Sequence, residues 1–176
     1  MDGSTRDLFL AQDGDDEAFA RVVVACAPDV RRFCAWFCGS DRDVDDLTQE
    51  TFMRAFRGLA SYRGDSTAKS WMLSIARRAC LDVVAMDKKN SSLISKLKSG
   101  YMPREETGQS TELRHLIALL PIQFREAFVL VRVFEFSYEE AATVLQCPRG
   151  TVQSRVARAR EFLAQQLAVE ENRHIS

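Results

Sequence analysis

The segment from Ser137 to Arg160 holds the residue types that grip phosphates and read base edges, spaced as two short helices would need them. Ser137 with Glu140 three positions on makes a capping box that starts a helix. Ala141 and Ala142 are small enough for a second helix to cross closely, as a helix-turn-helix unit requires. Cys147-Pro148-Arg149-Gly150 forms the turn, and Thr151 caps or opens the next helix. Val152 and Val156 then point inward, leaving Gln153, Ser154, Arg155 and Arg158 outward. From Arg149 to Arg160 there are four Arg and no acid. Arginine holds phosphates, while Gln, Ser and Arg hydrogen-bond to bases in the major groove. One position departs from the usual motif. A glycine commonly ends the first helix in a left-handed conformation, and here Gln146 stands there.

A second informative string is Asp45-Asp46-Leu47-Thr48-Gln49-Glu50-Thr51-Phe52. On a helix, Leu47, Thr51 and Phe52 pack inward, while Asp46, Gln49, Glu50 and Met53 share an outer face. Taken alone, the acids also suit the positive end of a helix dipole. Tyr62 to Ser66 follows as a loop, and a helix opening near Trp71 carries Arg77 and Arg78 on its outer side. A third set is Cys34 and Cys38, one turn apart, which Cys26 or the two His would complete as a metal site. His115 and His174 are remote in sequence, and Cys packs as a small buried side chain. Core packing is therefore expected for the thiols.

Helices must position all of these. Apolar residues recur at three- and four-residue spacing almost throughout, and no segment alternates as a strand does. Asp16 to Cys38 is one such stretch, with Pro28 predicting a break into two helices. Asp43 to Leu59 follows, with Phe52 and Phe56 on its inner side. The next runs from about Thr67 to Met86, with Trp71, Met72, Ile75, Ala76, Ala79 and Val83 inward. Between Asp87 and Ser110 the pattern fails: four Lys, five Ser, two Gly and one Pro read as a linker. Periodicity resumes from Thr111 to Leu163. The expected fold is all-α, two small helical domains joined by a flexible linker.

Charge divides the chain in the same places. The 176 residues carry a net charge of −1, yet residues 1–50 balance at −7, residues 51–100 at +7 and residues 101–176 at −1. A basic block suggests a polyanion-binding surface, and the acidic block faces something else. Composition, with 46% hydrophobic and 28% charged residues, excludes collagen-like and disordered chains. No apolar run is long enough to span a membrane, and the acidic first twenty residues do not read as a secretory signal. Five Cys without such a signal are expected as free thiols in a cytoplasmic protein.

Three strings together, Asp45 to Phe52, Trp71 to Arg78 and Gly150 to Arg155, resemble those of bacterial RNA polymerase sigma factors of the extracytoplasmic-function group, in order and approximate spacing. The resemblance implies a sigma-2-like domain over 8–90, a linker over 91–110 and a sigma-4-like helix-turn-helix domain over 111–170. It further implies a non-catalytic subunit without cofactor or metal that binds core RNA polymerase, through the β′ clamp and β flap, and promoter DNA. Asp46, Gln49, Glu50 and Met53 would match the polymerase-docking surface. Tyr62, Arg63, Ser66, Lys69, Arg77, Arg78, Asp82, Lys88 and Lys89 would match the elements that melt and hold the −10 region. There a base leaves the stack and basic side chains hold the strand. Tyr62 and Ser66, in the loop, are expected to be dispensable for folding, whereas Trp71 packs. Arg149, Thr151, Gln153, Ser154, Arg155 and Arg158 would match the reader of the −35 duplex. The resemblance also implies an anti-sigma factor as a partner. Ala85-Met86-Asp87-Lys88-Lys89 is thinner in Arg than the family's pattern. A helix-turn-helix regulator acting without polymerase is the other reading of these residues.

Overall fold

The computed structural model describes residues 2–37, 41–90 and 111–174, with side chains left aside at 41–42, 87–90, 111–114 and 169–174. The expected linker over 91–110, Cys38, and the side chains of Lys88, Lys89 and His174 lie outside what is described. Among the described residues every regular element is helical. The chain divides into two compact units, Met1–Pro103 and Arg104–Ser176.

The first unit begins with α1 (Gly3–Gln12), which the periodicity did not announce. Asp2 caps it, its carboxylate accepting from the Thr5 backbone N–H at 2.8 Å and the Thr5 hydroxyl at 2.9 Å. Leu8 on its inner side is fully buried. Helix α2 (Asp16–Ala35) is capped by Asp15, which accepts from the Ala18 N–H at 3.0 Å. Pro28 does not break it: one continuous helix runs through that position. A proline here removes the bond to the Val24 carbonyl. Pro28 and Val24 both lie on the exposed side, where water can serve that carbonyl.

Helix α3 (Asp41–Gly58) buries Val44, Leu47, Thr51 and Ala55, and a 3₁₀ turn follows (Leu59–Ser61). The Thr51 hydroxyl avoids an unpaired burial by donating to the Leu47 carbonyl at 2.7 Å. Helix α4 (Ala68–Asn90) starts where the Thr67 hydroxyl accepts from the Ser70 N–H at 3.1 Å. It buries Met72, Leu73, Ala76, Ala79 and Cys80. The expected inner sides were too generous. Phe56 is 57% exposed, with one edge against Phe19 of α2, and Val83 is 41% exposed. Leu73, placed by no inward list, is fully buried.

Thiols help these helices approach. The buried Cys80 thiol on α4 donates to the buried Cys34 sulfur on α2 at 3.9 Å, and that hydrogen bond holds Cys34 below the ordinary thiol value. Burial, with Asp29 nearby, pushes the Cys26 thiol up to about 11, so it stays a neutral packing group. Among the described residues no cluster of His, Cys, Asp and Glu could hold a metal ion.

The second unit runs through α5 (Thr111–Ala118), α6 (Ile122–Arg132), α7 (Tyr138–Leu145) and α8 (Arg149–His174). Arg125 reaches back from α6 to the carbonyls of Ala118 and Leu120, satisfying the end of α5. The capping box forms as expected: the Glu140 N–H donates to the Ser137 hydroxyl at 3.2 Å, and the Ser137 N–H donates to the Glu140 carboxylate at 2.8 Å. Helix α8 opens two residues before Thr151, at Arg149, with the Pro148 carbonyl accepting from the Thr151 N–H at 2.9 Å. Val152, Val156, Ala159 and Leu163 fill the space against α6 and α7.

Gln146 does adopt the left-handed conformation that glycine usually supplies, with φ 52° and ψ 45°. Its side chain is exposed and its Cβ is crowded there without compensation. Gln146→Gly should therefore stabilise this unit by about 1 kcal/mol, seen as a rise in the midpoint of urea unfolding.

Candidate nucleic-acid interface

Helix α3 presents an apolar ridge. Met53 is 43% exposed, and Gln49, Phe52, Met53, Phe56 and Arg57 line one shallow depression. Phe56 is held edge-on against Phe19 of α2, with ring centroids 5.3 Å apart. Asp46 is exposed one turn before Glu50 and Gln49 beside it. Glu50 is already engaged: its carboxylate accepts from Arg54 Nε at 2.7 Å, and Arg54 also donates to Asp82 of α4 at 2.6 Å. Those hydrogen bonds, Glu50 first, raise the Arg54 pKa above its ordinary value. Arg54 thereby ties the acidic face of α3 to the outer side of α4. Sequence spacing shows the Glu50–Arg54 pair, but nothing in it announces Asp82.

The loop after α3 differs most from expectation. Tyr62 is 4% exposed, and its ring sits between Phe9 of α1 and Trp71 of α4, with centroids 5.5 and 5.2 Å away. Its hydroxyl donates to the Ser66 carbonyl at 2.5 Å, and burial raises its pKa above the ordinary tyrosine value. Tyr62 is thus a core residue, which corrects its placement as dispensable for folding. Its ring fills the gap between α1 and α4, which no position within the loop could show. The Ser66 contribution comes through its backbone, while its hydroxyl lies 3.5 Å from the Thr67 carbonyl. Arg63 is exposed. At Gly64, φ is +78° and a Cβ would lie 2.8 Å from Phe9 Cζ, so glycine is needed for backbone and space alike.

Along α4, Lys69 forms an ion pair with Asp29 of α2 at 2.8 Å. Arg77 is half-buried and Arg78 exposed. Asp82, facing Arg54, contributes negative charge to this side. Arg63 and Arg78 are thus exposed cations beside the loop and along α4, with Lys69 and half-buried Arg77 on the same helix.

In the second unit α8 presents Gln153, Ser154 and Arg158 outward, with Thr151 half-buried. The Ser154 hydroxyl donates to the Thr151 carbonyl at 3.0 Å, leaving its oxygen lone pairs outward. Arg149 pairs with Glu139 of α7 at 3.0 Å, bridging the two helices of the motif. Arg155 turns inward instead. Its guanidinium lies 3.6 Å from the carboxylate of Glu126, which is almost wholly buried on α6, and 4.0 Å from Cys147 Sγ. Arg155 thus makes a charged contact between α8 and the buried acid of α6. Glu126 was missed because it interrupts an apolar stripe that otherwise reads as core.

A helix-turn-helix unit with a polar outward helix face, beside a separate helical unit with an apolar–acidic ridge, defines a DNA-binding transcription factor. Residues 22–89 match the family described as Sigma-70 region 2, and residues 110–163 match Sigma-70, region 4. A probable RNA polymerase sigma-C factor of Mycobacterium bovis is 34% identical over 158 residues, spanning 87% of this chain and 85% of that protein. The ECF RNA polymerase sigma-E factor of Escherichia coli is 36% identical over 169 residues, spanning 86% of this chain and 87% of that protein. Among solved structures, the sigma factor RpoE of Bartonella quintana, in complex with the anti-sigma factor NepR, superposes with a TM-score of 0.71. That likeness covers 86% of this chain and 97% of that one, at 26% identity. The structure of CnrH bound to the cytosolic domain of CnrY shares the fold, with a TM-score of 0.73 over 96% of this chain and 99% of that one at 22% identity. The chain belongs to the extracytoplasmic-function family of RNA polymerase sigma factors. No helix among the described residues is long and apolar enough to cross a membrane.

The Tyr62 arrangement separates ring from hydroxyl. Tyr62→Ala should cost about 3–5 kcal/mol, as truncating a buried aromatic ring does. Tyr62→Phe should cost about 1 kcal/mol, the worth of one hydrogen bond. Urea unfolding followed by circular dichroism checks both values.

Proposed function

We propose that this chain directs RNA polymerase to promoters by dividing the work among three surfaces. The α3 ridge of Asp46, Gln49, Glu50 and Met53, widened by Phe56, docks the β′ clamp. The loop at 62–66 and α4, with Lys69, Arg77 and Arg78 and the lysines at 88 and 89 of its sequence, engage the −10 region. The outward residues of α8 read the −35 duplex. Arg63 is the exposed loop cation, while Tyr62 and Arg155 act by holding the surfaces that carry Ser66 and Gln153. Domains over 8–90 and 111–170, joined by 91–110, follow from this division, with the second domain also meeting the β flap. The setting is the cytoplasm, where polymerase and promoter are.

The observation that carries the reading is the exposed Met53–Phe56 ridge beside acids, in a unit whose other half is basic. An apolar centre with a charged rim is how a protein partner is recognised; a basic face is how nucleic acid is. An anti-sigma factor that covers both units fits the same surfaces, and the tether between them raises the local concentration of the second once the first is bound.

Met53→Glu should weaken binding to core polymerase by about tenfold or more, by placing a charge at the centre of the contact, while thermal melting stays within a degree or two. Unchanged core affinity in a pull-down titration would overturn the docking assignment. In the same protein, Arg158→Ala should lower affinity for −35 duplex DNA by about tenfold or more without touching core binding.

A further inference from the structure

Helix α1 lies outside the residues that match Sigma-70 region 2, which begin at 22. It buries Leu8 and sets the Phe9 ring against Tyr62. Three of its side chains, Thr5, Phe9 and Gln12, are spaced by four and three, so they share one face. Each meets a different part of the loop between α3 and α4.

Gln12 meets the entry. Its Nε2 carries two hydrogens, and both are used: one goes to the Leu59 carbonyl and one to the Tyr62 carbonyl, each at 2.8 Å. Those carbonyls bracket the 3₁₀ turn, which is closed by the Tyr62 N–H donating to Leu59 at 3.1 Å. Phe9 meets the middle, its ring against Tyr62 and directly under Gly64. Thr5 meets the exit. Its hydroxyl hydrogen goes to Asp2, which leaves its oxygen to accept from the Ala68 N–H, the first residue of α4, at 3.1 Å. Thr5 is buried there.

We propose that Gln12 is a positioning residue for promoter opening: from α1 it fixes the shape of the 62–67 loop before DNA arrives, with Phe9 and Thr5 holding the rest. The proposal rests on the loop's assignment to the −10 region above. A loop of this length with Gly64 and Ser66 would otherwise lose conformational freedom on gripping a strand. A loop already held presents Arg63 and Asp65 in one arrangement, and that ordering cost is removed from the opening step.

Gln12→Glu keeps the shape and removes both donors, setting a carboxylate against two carbonyls. Gln12→Met keeps the length, is neutral and likewise lacks donors, so it covers the case in which the charged variant fails to fold. The probe is a duplex promoter selected by the wild-type holoenzyme from random-sequence DNA. Opening is read by permanganate reactivity of −10 thymines, and loop order by amide hydrogen exchange. Both variants should open the promoter about tenfold more slowly or worse and exchange the amides of 62–66 about tenfold faster, with α2 exchange, core binding and −35 binding unchanged. Wild-type opening by a folded variant would overturn the proposal. So would faster exchange throughout α2 and α3, which would make Gln12 a general stabiliser. If the wild-type holoenzyme selects no promoter at all, the functional reading falls instead, and the exchange data alone decide whether Gln12 holds the loop.

Discussion

The first unit depends on one aromatic ring. Tyr62 sits where α1, the end of α3 and the start of α4 meet, and its hydroxyl closes the loop onto Ser66. Removing water from that ring contributes on the order of 2 kcal/mol, comparable with any other core side chain here. The difference lies in what the burial constrains. The ring cannot be covered by Phe9 and Trp71 unless the backbone from 62 to 67 takes the path it does, and that path forces Gly64 against Phe9. Stability of the fold and shape of the exposed loop are thus one constraint. The same packing that closes the core sets the direction in which Arg63 leaves it.

Charge on these surfaces is organised in pairs. Glu50 and Asp82 share Arg54, Lys69 meets Asp29, and Arg149 meets Glu139. Exposed pairs of this kind add little stability. Their effect is to hold long side chains in one place and to limit the net field each face presents. A face whose cations are partly neutralised binds nucleic acid less strongly without sequence selection, because the phosphate term scales with free positive charge. Arg78 and Arg158 stand exposed on α4 and α8.

What could be read from the sequence was local. Helix spacing, the Ser137–Glu140 box, the left-handed site at Gln146 and the outward direction of Gln153 and Arg158 all follow from positions a turn or two apart. The contacts that could not be read are long-range. Gln12 meets carbonyls 47 and 50 residues away, and Arg54 meets Asp82 across 28. A polar side chain whose partner is distant backbone leaves no periodic trace. A loop position does not show that the Tyr62 ring is buried, and the hydrogen bond lost at Pro28 costs little because that side of the helix faces water. Arg155 looked like its outward neighbours until buried Glu126 supplied the partner that turns it inward.

That buried carboxylate also limits how such a protein can change its DNA preference over time. Side chains at 153, 154 and 158 are exposed, so substitution there leaves the packing of the motif in place. Position 155 is different. Replacing it removes a cation that lies 3.6 Å from the buried Glu126 carboxylate. The sequences of α6 and α8 are thus coupled at this pair. A recognition helix transplanted from a relative would carry its new specificity only if the acid on the neighbouring helix came with it.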